Sequence, residues 1–282
     1  MYIGAHISIA GSLELCFDRA EKIGCNVFQI FTRNPRSWIS KKIDVKTVES
    51  FNEKREVSGI KYIFAHMPYL VNFASNQSDI WEKSINSLRE EINRSNCLKI
   101  PYIVTHIGSI KGGKKKQGLI NIVKALEKGL KNCKYDIKIL LENTATNIQN
   151  LGGNLEDICD IFDKTRYQEK LGLCLDTCHA FATGYDLRKP TILDEIIQMI
   201  NERIGIENLL LIHCNDSKYD LGTGIDRHEH IGLGKIGQIG FENILGNNKL
   251  KNIPLICETP VDERRNDSGN INYLKDLLVK IK

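Results

Sequence analysis

Short apolar runs of strand length recur eight times along the chain, at Tyr2–Ile7, Val27–Thr32, Tyr62–His66, Tyr102–His106, Ile137–Glu142, Leu171–Asp176, Asn208–His213 and Ile253–Glu258. Between them, apolar residues return every three to four positions over Leu13–Ile23, Val45–Val57, Ile80–Ile92, Leu119–Leu130, Leu155–Phe162, Ile192–Ile204, Phe241–Leu245 and Ile271–Ile281. The runs suit buried strands, and the spaced positions suit helices with one buried face. Strand then helix, eight times over, predicts an α/β fold of the (β/α)8 or TIM-barrel type, which typically needs ~250 residues. The last helical segment would close the ring. No stretch rich in Pro, Gly or Ser interrupts the order, and the only biased tract is the short Lys111–Lys116 run. Residues 1–282 are therefore expected to form a single domain.

The sixth run carries the first chemical signal. Leu171, Leu173 and Leu175 share one face of the strand, while Gly172, Cys174 and Asp176 share the other. His179 follows three residues later, where the strand is expected to give way to a loop. A carboxylate and an imidazole at the end of a buried strand are costly unless something charged meets them. Taken alone, this pair is explained equally well by a capping aspartate and a packed histidine. Recurrence changes that weighing. Six of the eight runs end in a metal-capable side chain: His66, His106, Glu142, Asp176, His213 and Glu258. A seventh run, the first, ends near His6. Barrel active sites sit at this C-terminal end of the strands, on residues drawn from several of them.

The segment after the seventh run adds Asp226 and His228, two apart in a glycine-rich stretch and able to project to one side of an extended chain. With His179 they form a set of two histidines and one carboxylate, suited to zinc with an open position. The candidates are then His66, His106, His179, His213 and His228 with Glu142, Asp176, Asp226 and Glu258. Zinc takes three to four protein ligands, so these groups suit about three ions with one carboxylate shared. His6 and His230 are read as lying outside the ligand set. Cys174, Cys178, Cys214 and Cys257 are read as small buried hydrophobes, Cys178 being nearest the candidate ligands.

Composition narrows the setting only a little. At 41% hydrophobic residues, the chain can bury one large core or two modest ones. No apolar run approaches the ~20 residues of a membrane span. The N-terminus enters a strand pattern at once, which predicts neither secretion nor import. Nine cysteines without a paired framework predict reduced thiols in the cytoplasm. A net charge of +4 permits a polyanionic partner without requiring one.

Three stretches resemble the signatures of endonuclease IV, the zinc-dependent apurinic/apyrimidinic endonucleases of base excision repair. They are Gly172-Leu-Cys-Leu-Asp-Thr-Cys-His-Ala-Phe-Ala-Thr-Gly-Tyr-Asp186, His213-Cys-Asn-Asp-Ser-Lys218 and Asp226-Arg-His-Glu-His-Ile-Gly232. The similarity extends from Gly4-Ala-His-Ile-Ser8 and Phe31-Thr-Arg-Asn-Pro-Arg-Ser-Trp38 through Glu142-Asn-Thr-Ala145 to Glu258-Thr259, nearly the whole chain. The resemblance implies a TIM barrel with three Zn²⁺ ions. His66, His106 and Glu142 would hold one ion. Glu142 would bridge to a second, held also by Asp176, His213 and Glu258, and His179, Asp226 and His228 would hold the third. It further implies hydrolysis of the phosphodiester 5′ to an abasic site in duplex DNA, leaving a 3′-hydroxyl and a 5′-deoxyribose phosphate, and removal of 3′ blocking groups. Two bridged ions can lower the pKa of a water between them, and a third can stabilise the departing 3′-oxygen. Glu258, with Glu142, would be the catalytic carboxylate, ligating and orienting the nucleophile.

DNA contact is expected from Arg33, Arg36 and Trp38 after the second strand, Tyr69 after His66, and the lysine run that includes Lys114. The resemblance implies that Arg36 and Tyr69 enter the duplex at the lesion, where an abasic nucleotide unstacks cheaply. A cytoplasmic monomer without membrane association is expected, at the nucleoid if the cell is prokaryotic. The chain departs from the family pattern in two places. Thr146-Asn-Ile-Gln149 replaces a usual Gly-Gln-Gly turn, and Leu233 stands where an acidic residue commonly lies between glycines. Neither removes a ligand. The main rival reading is a metal-dependent sugar isomerase or epimerase on the same barrel. Those sites are mostly carboxylate, with one or two ions, and do not call for five histidines. A DNA-binding barrel without activity is a weaker rival, because the ligand positions are intact.

Overall fold

The computed structural model describes residues 1–110, 112–147 and 150–281. Lys111, Ile148, Gln149 and Lys282 lie outside the described residues, and with them one end of the lysine run and half of the Thr146–Gln149 stretch. Seven strands follow the sequence pattern closely: β1 (Ile3–His6), β2 (Val27–Phe31), β3 (Tyr62–His66), β4 (Tyr102–His106), β5 (Lys138–Glu142), β6 (Leu171–Asp176) and β7 (Leu209–His213). A two-residue antiparallel pair, β8 (Asp216–Ser217) and β9 (His228–Glu229), lies outside the barrel, and β10 (Leu255–Cys257) completes it. Among the described residues, β1 to β7 and β10 pair in parallel and in order, and β10 closes the ring against β1. Around it run α1 (Leu15–Lys22), α2 (Val45–Val57), α3 (Ser78–Cys97), α4 (Lys115–Leu130), α5 (Glu156–Lys164), α6 (Thr177–Thr183), α7 (Pro190–Arg203), α8 (Gly237–Gly246) and α9 (Asp267–Lys280). This is the expected TIM barrel.

The strands read as unbroken apolar runs because both of their faces are buried. Phe28, Ile30, Ile63, Ile103, Ile139, Leu141, Leu173 and Leu175 pack outward against the helices. Val27, Phe64, Val104, Leu140, Cys174, Leu211 and Ile256 pack together separately as the barrel's inner plug, with Tyr2, Tyr62, Tyr102 and Leu210 against it. Side chains alternate faces along a strand, so the residue two positions beyond each plug member also points inward. Those residues are Gln29, His66, His106, Glu142, Asp176, His213 and Glu258. The strand period thus delivers a ring of polar groups to the C-terminal mouth, directly above an apolar plug.

One expectation is corrected here. His179 does not sit on a loop; it lies in the first turn of α6, which starts directly where β6 ends. Asp176 is both the last strand residue and the helix N-cap, its Oδ1 accepting from the His179 amide at 2.8 Å. The sequence shows no polar turn there because the strand feeds the helix without one. No helix among the described residues is long and apolar enough to cross a membrane.

Candidate metal centre

Among the described residues, the candidate ligand atoms gather in three groups, each with its atoms within 4.8 Å of one another, and Asp176 and His228 also meet Cys178 in a fourth. In the first, Glu142 Oε2 lies 3.1 Å from His106 Nε2 and 3.4 Å from His66 Nε2. In the second, the other oxygen of Glu142 lies 3.0 Å from His213 Nδ1, which is 3.4 Å from Glu258 Oε2 and 3.8 Å from Asp176 Oδ2. In the third, the two Asp226 oxygens lie 3.4 Å from His179 Nε2 and 3.3 Å from His228 Nε2. Glu142 therefore joins the first two groups, one oxygen to each.

The surrounding hydrogen bonds decide which imidazole nitrogens keep a lone pair. His66 Nδ1–H donates to the Met67 carbonyl at 2.7 Å, His179 Nδ1–H to that of Asn143 at 2.8 Å, and His228 Nδ1–H to that of Glu258 at 2.9 Å. Each bond leaves Nε2 turned toward the carboxylates, as metal-bound histidines require. The Nε2 atoms of His179 and His228 are buried without a hydrogen-bond partner. Buried orphan nitrogens facing a carboxylate need a cation or a proton. The mixture of imidazole and carboxylate donors, three or four to a group, fits zinc.

Electrostatics point the same way. Burial disfavours the charged forms of His179 and His228, but the carboxylates around them prevail and hold the two imidazoles at about 10 and about 9. Burial also works against the charge on Glu142, yet His106 and His213 hold its carboxyl well below the usual range. A cation entering the cluster displaces the protons that the carboxylates otherwise hold on these imidazoles.

Residues beside the ligands fix their positions. Asn143 brackets the backbone of Asp176, its Oδ1 accepting at 2.7 Å and its Nδ2 donating at 3.0 Å. Asn215 donates to Asp176 Oδ2 at 2.7 Å and accepts from the Glu258 amide at 2.7 Å. Asp216 gathers the amides of Gly232, Gly234 and Ile236, which fixes the segment following His228. Leu233, in the middle of that segment, is 50% exposed. His230 bonds Asp262 and Asn270, and lies outside the three groups as expected. Cys178 approaches Asp176 and His228, but burial pushes its thiol up, and its Sγ–H faces the Arg227 carbonyl.

Gln29, Asn143 and Asn215 escaped the sequence reading. A signal for Gln29 was present: it is the one polar residue inside the Val-Phe-Gln-Ile-Phe run, at an inward position. The two asparagines directly follow Glu142 and Cys214, but nothing in a strand pattern separates a bracing asparagine from an ordinary one.

A cavity of about 550 Å³ opens over the cluster. At its rim Tyr69 is 57% exposed, its ring 5.1 Å from Phe31 and 6.2 Å from His66. The Tyr69 amide donates to the Pro35 carbonyl at 3.1 Å, tying its loop to the one that carries exposed Arg36. Lys114 is exposed at the N-cap of α4, and Trp38 is half-buried against the core.

Arg33 corrects the sequence reading. Its side chain is only 4% exposed and turns away from the mouth into α3, pairing with Glu90 at 3.0 Å and with fully buried Glu91 at 3.4 Å. It also donates to Ser87 Oγ. Arg33 anchors the loop instead of presenting charge to a ligand. Arg33→Ala should cost roughly 3–5 kcal/mol of stability, because it leaves the Glu91 carboxylate buried without its pair. Chemical denaturation measures this, and a loss below about 1 kcal/mol would show the pair to be dispensable.

Residues 17–277 match a family model described as xylose isomerase-like TIM barrel. A protein of Methanoculleus marisnigri named probable endonuclease 4 is 44% identical over 276 residues, 98% of each chain. The crystal structure of endonuclease IV from Thermus thermophilus superposes with a TM-score of 0.86 at 31% identity, covering 99% of this chain and 100% of that one. A D-tagatose 3-epimerase-like protein superposes at 0.73 but is only 23% identical, a likeness of fold alone. The chain belongs to the endonuclease IV family.

Proposed function

We propose that this protein binds about three zinc ions and hydrolyses the phosphodiester 5′ to abasic sites in duplex DNA. The products are a 3′-hydroxyl and a 5′-deoxyribose phosphate, and the same centre removes 3′ blocking groups. The observation that carries this reading is the sharing of Glu142 between two donor groups, beside a third, beneath a cavity lined by Tyr69, with exposed Arg36 on the loop tied to it. His66, His106 and Glu142 hold one ion. Glu142, Asp176, His213 and Glu258 hold another, and His179, Asp226 and His228 hold the third. Bound zinc supplies Lewis acidity toward both the phosphate and the attacking water. The chain positions that chemistry. Glu258 stands at the edge of the cavity with its side chain 20% exposed, where its carboxylate can orient water toward phosphorus. The side chains of Glu142, Asp176 and His213 are fully enclosed and those of His66 and His179 nearly so, which strengthens the charge interactions among them, while His106 and Asp226 open toward the cavity.

Recognition falls to the rim. Arg36 is a long planar cation suited to phosphate or to the gap left by a missing base, and Tyr69 offers a ring for stacking. Lys114, exposed at the N-cap of α4, offers a further cation. An extruded deoxyribose without its base is a small, cheaply unstacked group, so a shape-selective pocket can find it. In this reading residues 1–282 act as one domain, monomeric and cytoplasmic, associated with the nucleoid in a prokaryote. The sugar isomerase reading is less well supported, since five histidines and a cationic rim do not serve a small neutral sugar.

Arg36→Ala and Tyr69→Ala should each keep wild-type metal content yet lose roughly tenfold to a hundredfold in kcat/KM on abasic duplex, the worth of a stacking contact. Nicking kinetics beside a metal count test this. Unchanged kinetics in both variants would move recognition to the Lys114 side of the mouth.

A further inference from the structure

Gln29 lies on β2 at the inward position above Val27, fully buried, between the ends of three other strands. Its Nε2 stands 2.7 Å from Glu258 Oε1 and 2.9 Å from His6 Nδ1, and its Oε1 stands 2.9 Å from His213 Nε2. These three bonds are not interchangeable. A carboxylate only accepts, so the amide must present its NH₂ to Glu258 and its oxygen to His213. An amide oxygen also only accepts, so His213 must carry its proton on Nε2. The lone pair then falls on Nδ1, the atom that faces Glu142, Glu258 and Asp176.

His213 is thus the reverse of His66, His179 and His228. Those three are fixed through Nδ1–H by backbone carbonyls, which no substitution removes. The tautomer of His213 depends on one side chain from another strand. We propose that Gln29 is a positioning residue that holds His213 with its lone pair on Nδ1 and, through the same amide, aims the Glu258 carboxylate. It thereby keeps the central donor group ready for its ion without touching that ion. The inference rests on the reading of the three groups as zinc ligands.

Two variants separate positioning from mere packing. Gln29→Leu fills the same space and removes all three bonds. Gln29→Glu keeps an acceptor for His213 but sets a second carboxylate against Glu258. Zinc-loaded proteins are mixed with a chromophoric chelator and the release of each ion is followed, alongside thermal melting and kcat. In Gln29→Leu one ion of about three should leave roughly 10- to 100-fold faster than in wild type, the others at wild-type rates. In Gln29→Glu, kcat should fall at saturating abasic duplex. Wild-type release and kcat in both variants would overturn the inference alone. So would uniformly faster release of all ions in step with a lowered melting temperature, since that marks a packing role. Wild-type protein that retains no zinc would overturn the functional reading together with this inference.

Discussion

Glu142→Ala should strip about two of the three ions and leave nicking of abasic duplex at least about a thousandfold below wild type, because metal stabilisation of a developing charge is worth several kcal/mol. The expectation follows from geometry. Glu142 is fully buried and serves two donor groups, Oε2 facing His66 and His106 while Oε1 faces His213. Without it the first group keeps two histidines and no negative charge. The second keeps Asp176, His213 and Glu258 but loses its link to the first. The third group, built on His179, Asp226 and His228, does not use Glu142 as a member and should hold its ion. Elemental analysis beside single-turnover kinetics separates these outcomes. A variant that kept its full metal content would show that Glu142 does not bridge.

Glu258→Gln should behave in the opposite way, keeping most of its metal while losing on the order of a hundredfold to a thousandfold in kcat, the scale of removing one preorganised charge interaction. The amide conserves shape and keeps an oxygen for ligation. The backbone of Glu258 remains fixed by Asn215 below and by His228 above. Only the charge is lost, at the one carboxylate of the second group that reaches the cavity; Glu142 and Asp176 are wholly enclosed. Turnover at the wild-type rate would remove Glu258 from the reaction. Metal loss as complete as in Glu142→Ala would make it a ligand and nothing more.

The contrast between these two carboxylates shows how far a sequence reading reaches. Strand-end positions were legible because the barrel imposes a period of two: an inward apolar residue, then an inward polar one at the mouth. Leu140 and Glu142, Cys174 and Asp176, and Leu211 and His213 follow that rule, and the runs around them need no other information. The grouping of ligands across strands was supplied by family resemblance, since a strand pattern says which residues reach the mouth and not which neighbours they meet there. Two features resisted for local reasons. α6 begins without a turn because Asp176 caps it from inside β6, so no polar break announces a helix. Arg33 and Arg36 are three residues apart on one basic loop and look alike in sequence. Buried Glu91, from α3, draws one of them inward and leaves the other exposed.

The most direct test of the account is a metal count on fully active protein, paired with nicking of a duplex that holds a single abasic site. The expected result is about three zinc ions per chain, incision on the 5′ side of the lesion, loss of activity when a strong chelator removes the metal, and recovery when zinc is restored. Full activity with two ions or fewer, or incision that persists in metal-stripped protein, would contradict it.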